Sequence, residues 1–220
     1  MIFQLLIMIL PWSIRRRLLN WRYDWEIDQT ATIGKSIILA RKVKMGPKSR
    51  IHSLVMCKGI DMLNLGEDSG IASLTYITGF STIGGKWFRH LPERKCELIL
   101  GAHAGITSRH FIDCNGGIYV GDYTTLAGIR TQIFTHSIDV YNNRQDAKPV
   151  KIGKYCFIGT GCILLPGCEL PDYSILGAGS VLTKSYNQVG MMYAGAPAKP
   201  IKKLDVQKVP YFHRRKHVVD

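Results

Sequence analysis

The sequence predicts an all-β solenoid, a parallel β-helix whose coils are built from six-residue repeats. Between residues 152 and 182 an aliphatic residue recurs at every sixth position. A small or compact residue stands two places before each aliphatic residue, and a glycine often follows it. The aliphatic positions are Ile152, Ile158, Leu164, Leu170, Leu176 and Leu182. A helix repeats its apolar face every three to four residues and a strand every two, so neither alone explains this period.

The same spacing is weaker in the first half of the chain. The positions are Ile33, Leu39, Met45, Ile51, then Leu65, Ile71, Ile77, Ile83, then Leu100, Ile106, Ile112, Val120 and Leu126. The last series shifts phase by two residues across Cys114–Gly117. We therefore expect residues 26–186 to form the β-helix, with excursions near 85–97 and 137–148. Long insertions in a regular array usually carry function.

The two ends of the chain differ from the repeat. Residues 1–25 combine an apolar stretch with consecutive arginines at 15–17. They predict an amphipathic helix that caps the open coil, contacts a membrane surface, or does both. The apolar stretch 1–10 is too short to span a bilayer, and arginines that follow it are in the wrong order for a secretion signal. Residues 187–220 predict a short irregular segment, a short helix and a basic tail.

Charge and cysteine content limit the kinds of partner and the cellular setting that the sequence allows. The formal net charge of +13 indicates an anionic partner, which could be nucleic acid, an acidic membrane or a polyphosphate cofactor. The basic residues cluster at the two ends instead of forming a stripe interleaved with aromatics, which favours membrane and cofactor phosphates over nucleic acid. Cys156, Cys162 and Cys168 occupy the compact position of successive repeats, which predicts packing and not disulfides, zinc binding or nucleophilic chemistry. A reducing cytoplasm is the expected setting.

His136 is the candidate general base. It follows a coil directly and starts the second excursion, and an imidazole has an ordinary pKa near ~6.5. An exposed loop histidine would explain the same position, so both interpretations stay open. Asp113 lies on the preceding coil, about 4.8 Å away by strand spacing, where it could orient the imidazole or hold substrate. His110 could also contact substrate, or it could bond to the backbone of a turn.

From Gly121 to Leu204 the chain resembles the hexapeptide-repeat acyltransferases, in particular the galactoside and maltose O-acetyltransferase type. The matching segments are THS at 135–137, PVKIGKYCFIGTG at 149–161, LGAGSVLTK at 176–184 and AGAPAKPIKK at 194–203. The segment GITSRHFIDCNGG at 105–117 is a looser match to the members that acetylate bacterial capsule and other exopolysaccharide sugars.

The resemblance implies a left-handed β-helix, a homotrimer with active sites between neighbouring coils, and acetyl-CoA or another acyl-CoA as donor, with no metal. His136 matches the family's catalytic histidine. The positions that match CoA-binding residues are Thr160, Ala178, Thr183, Lys184, Lys199 and Lys202. The asparagine that usually contacts the acceptor in this family is not evident in this sequence. Asn142 and Arg144 on the second excursion are candidate substrate contacts.

The predicted function is therefore acyl-CoA-dependent transfer, with O-acetylation of a sugar of a bacterial cell-surface polysaccharide pathway as the main hypothesis. The acceptor would be nucleotide-linked or lipid-linked, on the cytoplasmic face of the membrane. N-acetylation of a nucleotide-linked amino sugar and a non-catalytic scaffold remain alternatives. A γ-class carbonic anhydrase shares the coil but needs two histidines five residues apart, which His103, His110 and His136 do not supply.

Overall fold

The computed structural model describes residues 1–216. Short strands wind into a left-handed parallel β-helix, in which the strands of the coil faces pair with the equivalent strands of neighbouring coils. The predicted fold class is confirmed. The last four residues of the expected basic tail, 217–220, lie outside the described residues.

The helices are α1 (Ile2–Leu6) and α2 (Trp12–Tyr23), with 3₁₀ helices at Ile7–Ile9 and Pro210–His213. In chain order the strands are β1 (Glu26–Ile27), β2 (Thr32–Ile33), β3 (Ile37–Leu39), β4 (Lys42–Met45), β5 (Arg50–Ile51), β6 (Met56–Lys58), β7 (Met62–Leu65), β8 (Gly70–Ile71), β9 (Tyr76–Thr78), β10 (Glu97–Leu100), β11 (Gly105–Ile106), β12 (Phe111–Asp113), β13 (Ile118–Val120), β14 (Thr125–Leu126), β15 (Gln132–Ile133), β16 (His136–Asp139), β17 (Arg144–Ala147), β18 (Val150–Ile152), β19 (Phe157–Ile158), β20 (Ile163–Leu164), β21 (Glu169–Leu170), β22 (Ile175–Leu176), β23 (Val181–Leu182), β24 (Met191–Gly195) and β25 (Ala198–Lys203).

Three sheets form the faces of the coil. The first sheet has the order β1-β4-β7-β10-β13-β18-β21, the second β2-β5-β8-β11-β14-β19-β22-β24-β25, and the third β3-β6-β9-β12-β15-β20-β23. Strands β16 and β17 form a separate antiparallel hairpin. In each sheet the buried residues align with their equivalents in the neighbouring coils. In the first sheet Leu65, Leu100, Val120, Ile152 and Leu170 align in this way.

The core contains all six aliphatic residues that the sequence places on the regular repeat between 152 and 182, each at most 3% exposed. Two positions of the weaker series differ from the prediction. Ile38, and not Leu39, fills the core of the first coil, because the step from Ile33 is one residue shorter than a full repeat. Ile83 is 57% exposed in the loop that follows β9.

All long insertions leave the coil at one corner. Core residues of the first and second sheets are six residues apart in every coil, as in Leu65 and Ile71. The connection from the third sheet back to the first instead includes 79–96, 114–117 and 134–149 in three successive coils. We call this connection the third corner. Because coils stack in register, these three segments lie next to one another.

Side chains of the N-terminal helices complete the exposed edge of the first coil. Gln4 accepts a hydrogen bond from Ile38 N–H at 3.0 Å and donates to the Ile38 carbonyl at 2.6 Å. Asn20 pairs in the same way with both backbone groups of Ile27, at 3.3 Å each. Arg15 donates to the carbonyl just after β2 at 3.0 Å. A buried backbone group left unpaired would cost about 1–3 kcal/mol, so these contacts close the first coil.

The C-terminal segment is more regular than the sequence predicts. Strand β24 extends the second sheet beside β22, and β25 returns antiparallel to it. After the 3₁₀ helix, the guanidinium of Arg214 lies 3.8 Å from the centroid of the Tyr211 ring. It also lies within 6 Å of the stacked rings of Tyr123 and Tyr155. No helix of residues 1–216 is long and apolar enough to cross a membrane.

Candidate active site

His136 and Asp113 form a hydrogen-bonded pair at the third corner. His136 begins β16, and Asp113 ends β12 in the coil before it. Asp113 Oδ2 lies 2.6 Å from His136 Nδ1. The side chain of Asp113 is 2% exposed, whereas that of His136 is 34% exposed. The fold thus buries the acid and leaves the imidazole accessible.

The accessible imidazole presents an unprotonated nitrogen. An ionised carboxylate only accepts hydrogen bonds, so we assign the proton of the neutral ring to Nδ1 and the lone pair to Nε2. Nε2 has no hydrogen-bond partner among residues 1–216. The hydrogen bond with Asp113 is the main influence on His136 and raises its pKa above the ordinary value, against the opposing effect of burial. Nε2 can therefore accept a proton, and the carboxylate would stabilise the resulting imidazolium.

Hydrogen bonds keep Asp113 ionised inside the corner. Oδ2 also accepts from the N–H groups of Thr135 at 2.9 Å and His136 at 3.2 Å, and Oδ1 accepts from Asn115. Burial raises the pKa of Asp113. The hydrogen bond and positive charge of His136 lower it, as do the backbone hydrogen bonds from Thr135 and Asn115, and together they bring the pKa below its ordinary value. The Thr135 hydroxyl donates to the Asp113 carbonyl at 2.7 Å and accepts from Gly116 N–H at 2.7 Å.

Asn115 is a site residue that the sequence pattern does not indicate. Its Nδ2 donates to Asp113 Oδ1 and lies 3.3 Å from His136 Nδ1. Its Oδ1 accepts from Phe80 N–H at 2.8 Å. Asn115 stands inside the phase shift at 114–117, where the repeat gives no register. The only signal in the sequence is the shift itself, because extra residues between two core strands must bulge from the coil.

The loop 79–96 covers one side of the imidazole. Arg94 donates to the carbonyls of Asn115 at 2.7 Å and Phe80 at 2.8 Å, and its guanidinium lies 4.5 Å from the centroid of the Phe88 ring. Phe88 is 5% exposed and meets the His136 ring edge-on, with 6.0 Å between centroids. The loop therefore restricts the direction from which a substrate can reach Nε2.

His110 is not placed to contact substrate. It is 2% exposed, and both ring nitrogens are occupied within the coil. Nδ1 accepts from Thr131 N–H at 3.1 Å, and Nε2 lies 2.9 Å from the Thr107 hydroxyl. Burial lowers the pKa of His110 to about 4, so the ring is neutral near pH 7. This geometry corrects the substrate-binding assignment and agrees with the alternative, a histidine that bonds to the backbone of a turn.

Asn142 and Arg144 lie on the β16–β17 hairpin, and both are exposed. Asn142 donates to Asp139 Oδ2 at 2.6 Å across the hairpin turn. Arg144 lines a groove of ≈ 490 Å³ between the hairpin and the loop 79–96. His90 on that loop forms a hydrogen bond with the Gln145 carbonyl at 2.8 Å, which ties the two insertions together. Both candidate residues are therefore near the third corner, without a hydrogen bond to His136.

Thr160 and Ala178 occupy the corner between the second and third sheets in adjacent coils. Both are exposed, and the carbonyl of Thr160 accepts from Gly179 N–H at 2.9 Å. The Thr160 hydroxyl also bonds to both backbone groups of Ile129, at 2.8 and 3.0 Å. The sequence places these two residues eighteen positions apart, and the coil stacks them into one exposed edge.

The other four candidates for CoA contact are exposed at the C-terminal end of the coil. Thr183 and Lys184 follow β23, and Lys184 lines a groove of ≈ 810 Å³ together with Glu169, Asp172 and Tyr186. Lys199 and Lys202 lie on β25. The structure therefore places two of the six candidates on one coil edge, two directly after β23 and two on β25.

The cysteines are buried and free of disulfides. Burial raises the pKa of Cys96 to about 11 and that of Cys156 and Cys168 to about 12. Their thiols are therefore protonated at neutral pH, and the predicted packing role is confirmed. Among residues 1–216, no group of three or more His, Cys, Asp or Glu side chains is arranged to hold a metal ion.

Known proteins share the repeat of the last coils. Residues 149–184 match the family described as bacterial transferase hexapeptide, six repeats. A putative acetyltransferase of Saccharomyces cerevisiae is 35% identical over 107 residues, 47% of this chain and 47% of the relative. Galactoside O-acetyltransferase of Escherichia coli is 29% identical over 73 residues, 33% of this chain and 36% of the relative. The chain thus spans less than half the length of either relative.

Solved structures share the coil over most of its length. Polysialic acid O-acetyltransferase OatWY aligns with a TM-score of 0.62 and 21% identity over 81% of this chain and 84% of its own. The N-acyltransferase AntD from Bacillus cereus aligns with a TM-score of 0.55 and 18% identity over 87% and 89%. These likenesses show a shared fold. With the repeat match, they confirm the resemblance to hexapeptide-repeat acyltransferases.

Proposed function

We propose that this protein is an acyltransferase that moves an acetyl or other acyl group from acyl-CoA to a sugar. His136 is the general base in this proposal, and Asp113 orients and stabilises it. The observation that supports it best is the pair itself, a buried carboxylate 2.6 Å from Nδ1 of a partly exposed imidazole. Of the two nitrogens, Nε2 is the one left to act on a substrate.

The proposed reaction is a direct transfer. A sugar hydroxyl oxygen attacks the thioester carbonyl carbon while its proton moves to His136 Nε2. The tetrahedral intermediate then collapses, the carbon–sulfur bond breaks, and the CoA thiolate leaves with the proton that Nε2 returns. A positioned base of this kind contributes about 10²–10⁴ in rate. The six cysteines take no part, because burial holds the pKa of their thiols above the ordinary value.

The donor contacts in this proposal follow the C-terminal coils. Thr160 and Ala178 form an exposed edge along which a pantetheine arm could extend. Lys184, Lys199 and Lys202 supply positive charge for the CoA phosphates, although a lysine lacks the bidentate geometry of arginine. The AntD structure cited above contains Coenzyme A, and the net charge of +13 here is consistent with a polyphosphate ligand.

The acceptor we favour is a hydroxyl of a nucleotide-linked or lipid-linked sugar. This sugar would lie in the cytoplasm and be used to build a bacterial cell-surface polysaccharide. Arg144 and Asn142, at the hairpin groove, are the proposed contacts. An amine acceptor is the second candidate, because the same base serves an amine and the AntD structure holds dTDP-4-amino-4,6-dideoxyglucose. We further propose a homotrimer, in which a neighbouring coil completes the open side of His136.

The proposal is tested by incubating the protein with acetyl-CoA and a panel of sugars and amino sugars while free CoA thiol is measured. The protein's buried cysteines should give little background. The His136→Ala variant should lose about 10²–10⁴ of the transfer rate and keep its CoA affinity. His52→Ala, which removes an exposed histidine of an early coil, should retain full activity.

Three results separate the alternatives. A product that mild base hydrolyses is an ester, whereas a stable product is an amide. Equal activity of His136→Ala and the wild type would refute the assignment of the base. Absence of both CoA binding and transfer across the panel would support a non-catalytic scaffold, and light scattering gives the subunit number.

A further inference from the structure

The N-terminal helices have one side buried against the first coil and another side with exposed apolar side chains. On the inner side Gln4, Ile7, Arg15 and Leu19 are buried against the first coil. On the other side, six large apolar side chains are 46–90% exposed. They are Ile2, Leu5, Leu6, Ile9, Ile14 and Trp21, and we call them the outer face.

Closing the coil does not account for the outer face. The hydrogen bonds that complete the first coil all come from the inner side, from Gln4, Arg15 and Asn20 among others. A helix that only caps a repeat array presents polar residues outward. Here the outward positions 2, 5, 6 and 9 are aliphatic and follow the spacing of one helical face. Such a contiguous apolar patch usually marks an interaction site.

The charges next to the outer face are positive. Helix α2 carries four arginines, and residues 1–23 contain no aspartate or glutamate. Arg15 is buried against the coil, but Arg17 and Arg22 are exposed on either side of Trp21 in the sequence. Aliphatic residues flanked by tryptophan and arginine are typical of helices that lie in the interface of an anionic bilayer.

We propose that the outer face binds the surface of an anionic lipid bilayer. Ile2, Leu6 and Ile9 would enter the boundary between head groups and acyl chains, and Arg17 and Arg22 would contact lipid phosphates. The proposed contact is peripheral, because it uses the exposed side of short helices whose other side packs on the first coil.

A second copy of the chain fits the outer face less well. A twofold contact between two outer faces would place Arg17 and Arg22 of both copies at one interface, where the acidic residues nearest in sequence are Asp24 and Glu26, and Glu26 already pairs with Lys44. Binding to lipid is measured directly and does not depend on acyl transfer, so this proposal and the proposed function can fail separately.

The test is flotation of the full chain with vesicles of phosphatidylcholine alone or mixed with phosphatidylglycerol. Wild type should float with the anionic vesicles and be released by high salt. The triple variant Ile2→Ser, Leu6→Ser, Ile9→Ser should lose at least about tenfold in binding. Arg17→Glu with Arg22→Glu should lose a similar factor on anionic vesicles. Leu54→Ser removes a leucine that is 64% exposed on the coil and should change nothing.

The altered positions face solvent, so the variants should keep the wild-type circular dichroism and melting temperature. The proposal is overturned if wild type does not float with anionic vesicles, or if the triple variant floats equally well. It is also overturned if light scattering shows that the outer face joins two copies and that the triple variant separates them.

Discussion

Replacing Asp113 by asparagine tests the proposed base without changing the volume of the buried side chain. The variant removes the negative charge 2.6 Å from His136 Nδ1. A hydrogen bond to a charged group contributes about 1.5–3 kcal/mol. At about 1.4 kcal/mol per factor of ten, a loss confined to the transition state lowers kcat/KM by about 10- to 150-fold.

The same substitution has a signature in the pH profile. The hydrogen bond with Asp113 raises the pKa of His136, so the wild-type base is unprotonated only above a pKa that exceeds the ordinary histidine value. Activity should therefore rise with pH through a limb above about 6.5. Without the carboxylate this limb should move to lower pH, so the deficit of Asp113→Asn should be largest at alkaline pH and narrow under acidic conditions.

The assay is CoA thiol release at saturating donor across the pH range, with Asp28→Asn as control. Asp28 is a partly exposed residue in an early turn, far from His136 in sequence and bonded to Thr30, and its substitution should leave rate and profile unchanged. If Asp113→Asn keeps both the wild-type rate and the wild-type limb, Asp113 does not act on the imidazole. A purely structural defect would instead lower the melting temperature and leave the position of the limb unmoved.

Three further predictions concern stability and the loop beside the site. Burial lowers the pKa of His110 to about 4 in the folded chain, so the unfolded chain takes up a proton first as pH falls. The free energy of unfolding should therefore decrease by about 3 kcal/mol between about pH 6.5 and pH 4. His110→Asn, compared by urea titration at both pH values, should remove most of that dependence, and an equal dependence in both proteins would contradict it. Arg94→Gln loses two hydrogen bonds to backbone carbonyls and should speed limited proteolysis within 79–96 with little change in melting temperature; cleavage at the wild-type rate would argue against this anchor. Leu164→Ala, at a fully buried core position, should cost about 2–5 kcal/mol, whereas Leu165→Ala at the half-buried neighbour should cost less; similar losses would contradict the assigned core register.

The sequence predicts the coil well where each repeat has the same length. Leu164 and Leu170 lie in the core as expected, because each step of six residues advances the chain by one sheet. The prediction fails by one residue at Leu39, where the first coil has a shorter corner. It fails entirely at Ile83, because a loop that leaves the coil has no period.

The candidate site is only partly predictable for a related reason. The distance between Asp113 and His136 follows from strand spacing once both are assigned to neighbouring coils. Asn115 and Arg94 depend instead on how irregular segments fold at the third corner, which no periodicity encodes. The burial of His110 does follow from the repeat, because it stands two places before Ile112, at the position that small buried residues fill in the other coils; only its large ring is unusual there.

In a repetitive fold the same residues would otherwise have to keep the coils aligned and also carry insertions of different size. The third corner separates these two requirements. The steps between the first and second sheets keep a constant length in every coil, so the backbone ladder remains aligned whatever happens elsewhere. Segments of very different size can then be inserted into three neighbouring coils without disturbing that alignment. A change in specificity could therefore arise by lengthening or exchanging one connection, with the hydrophobic interior left untouched.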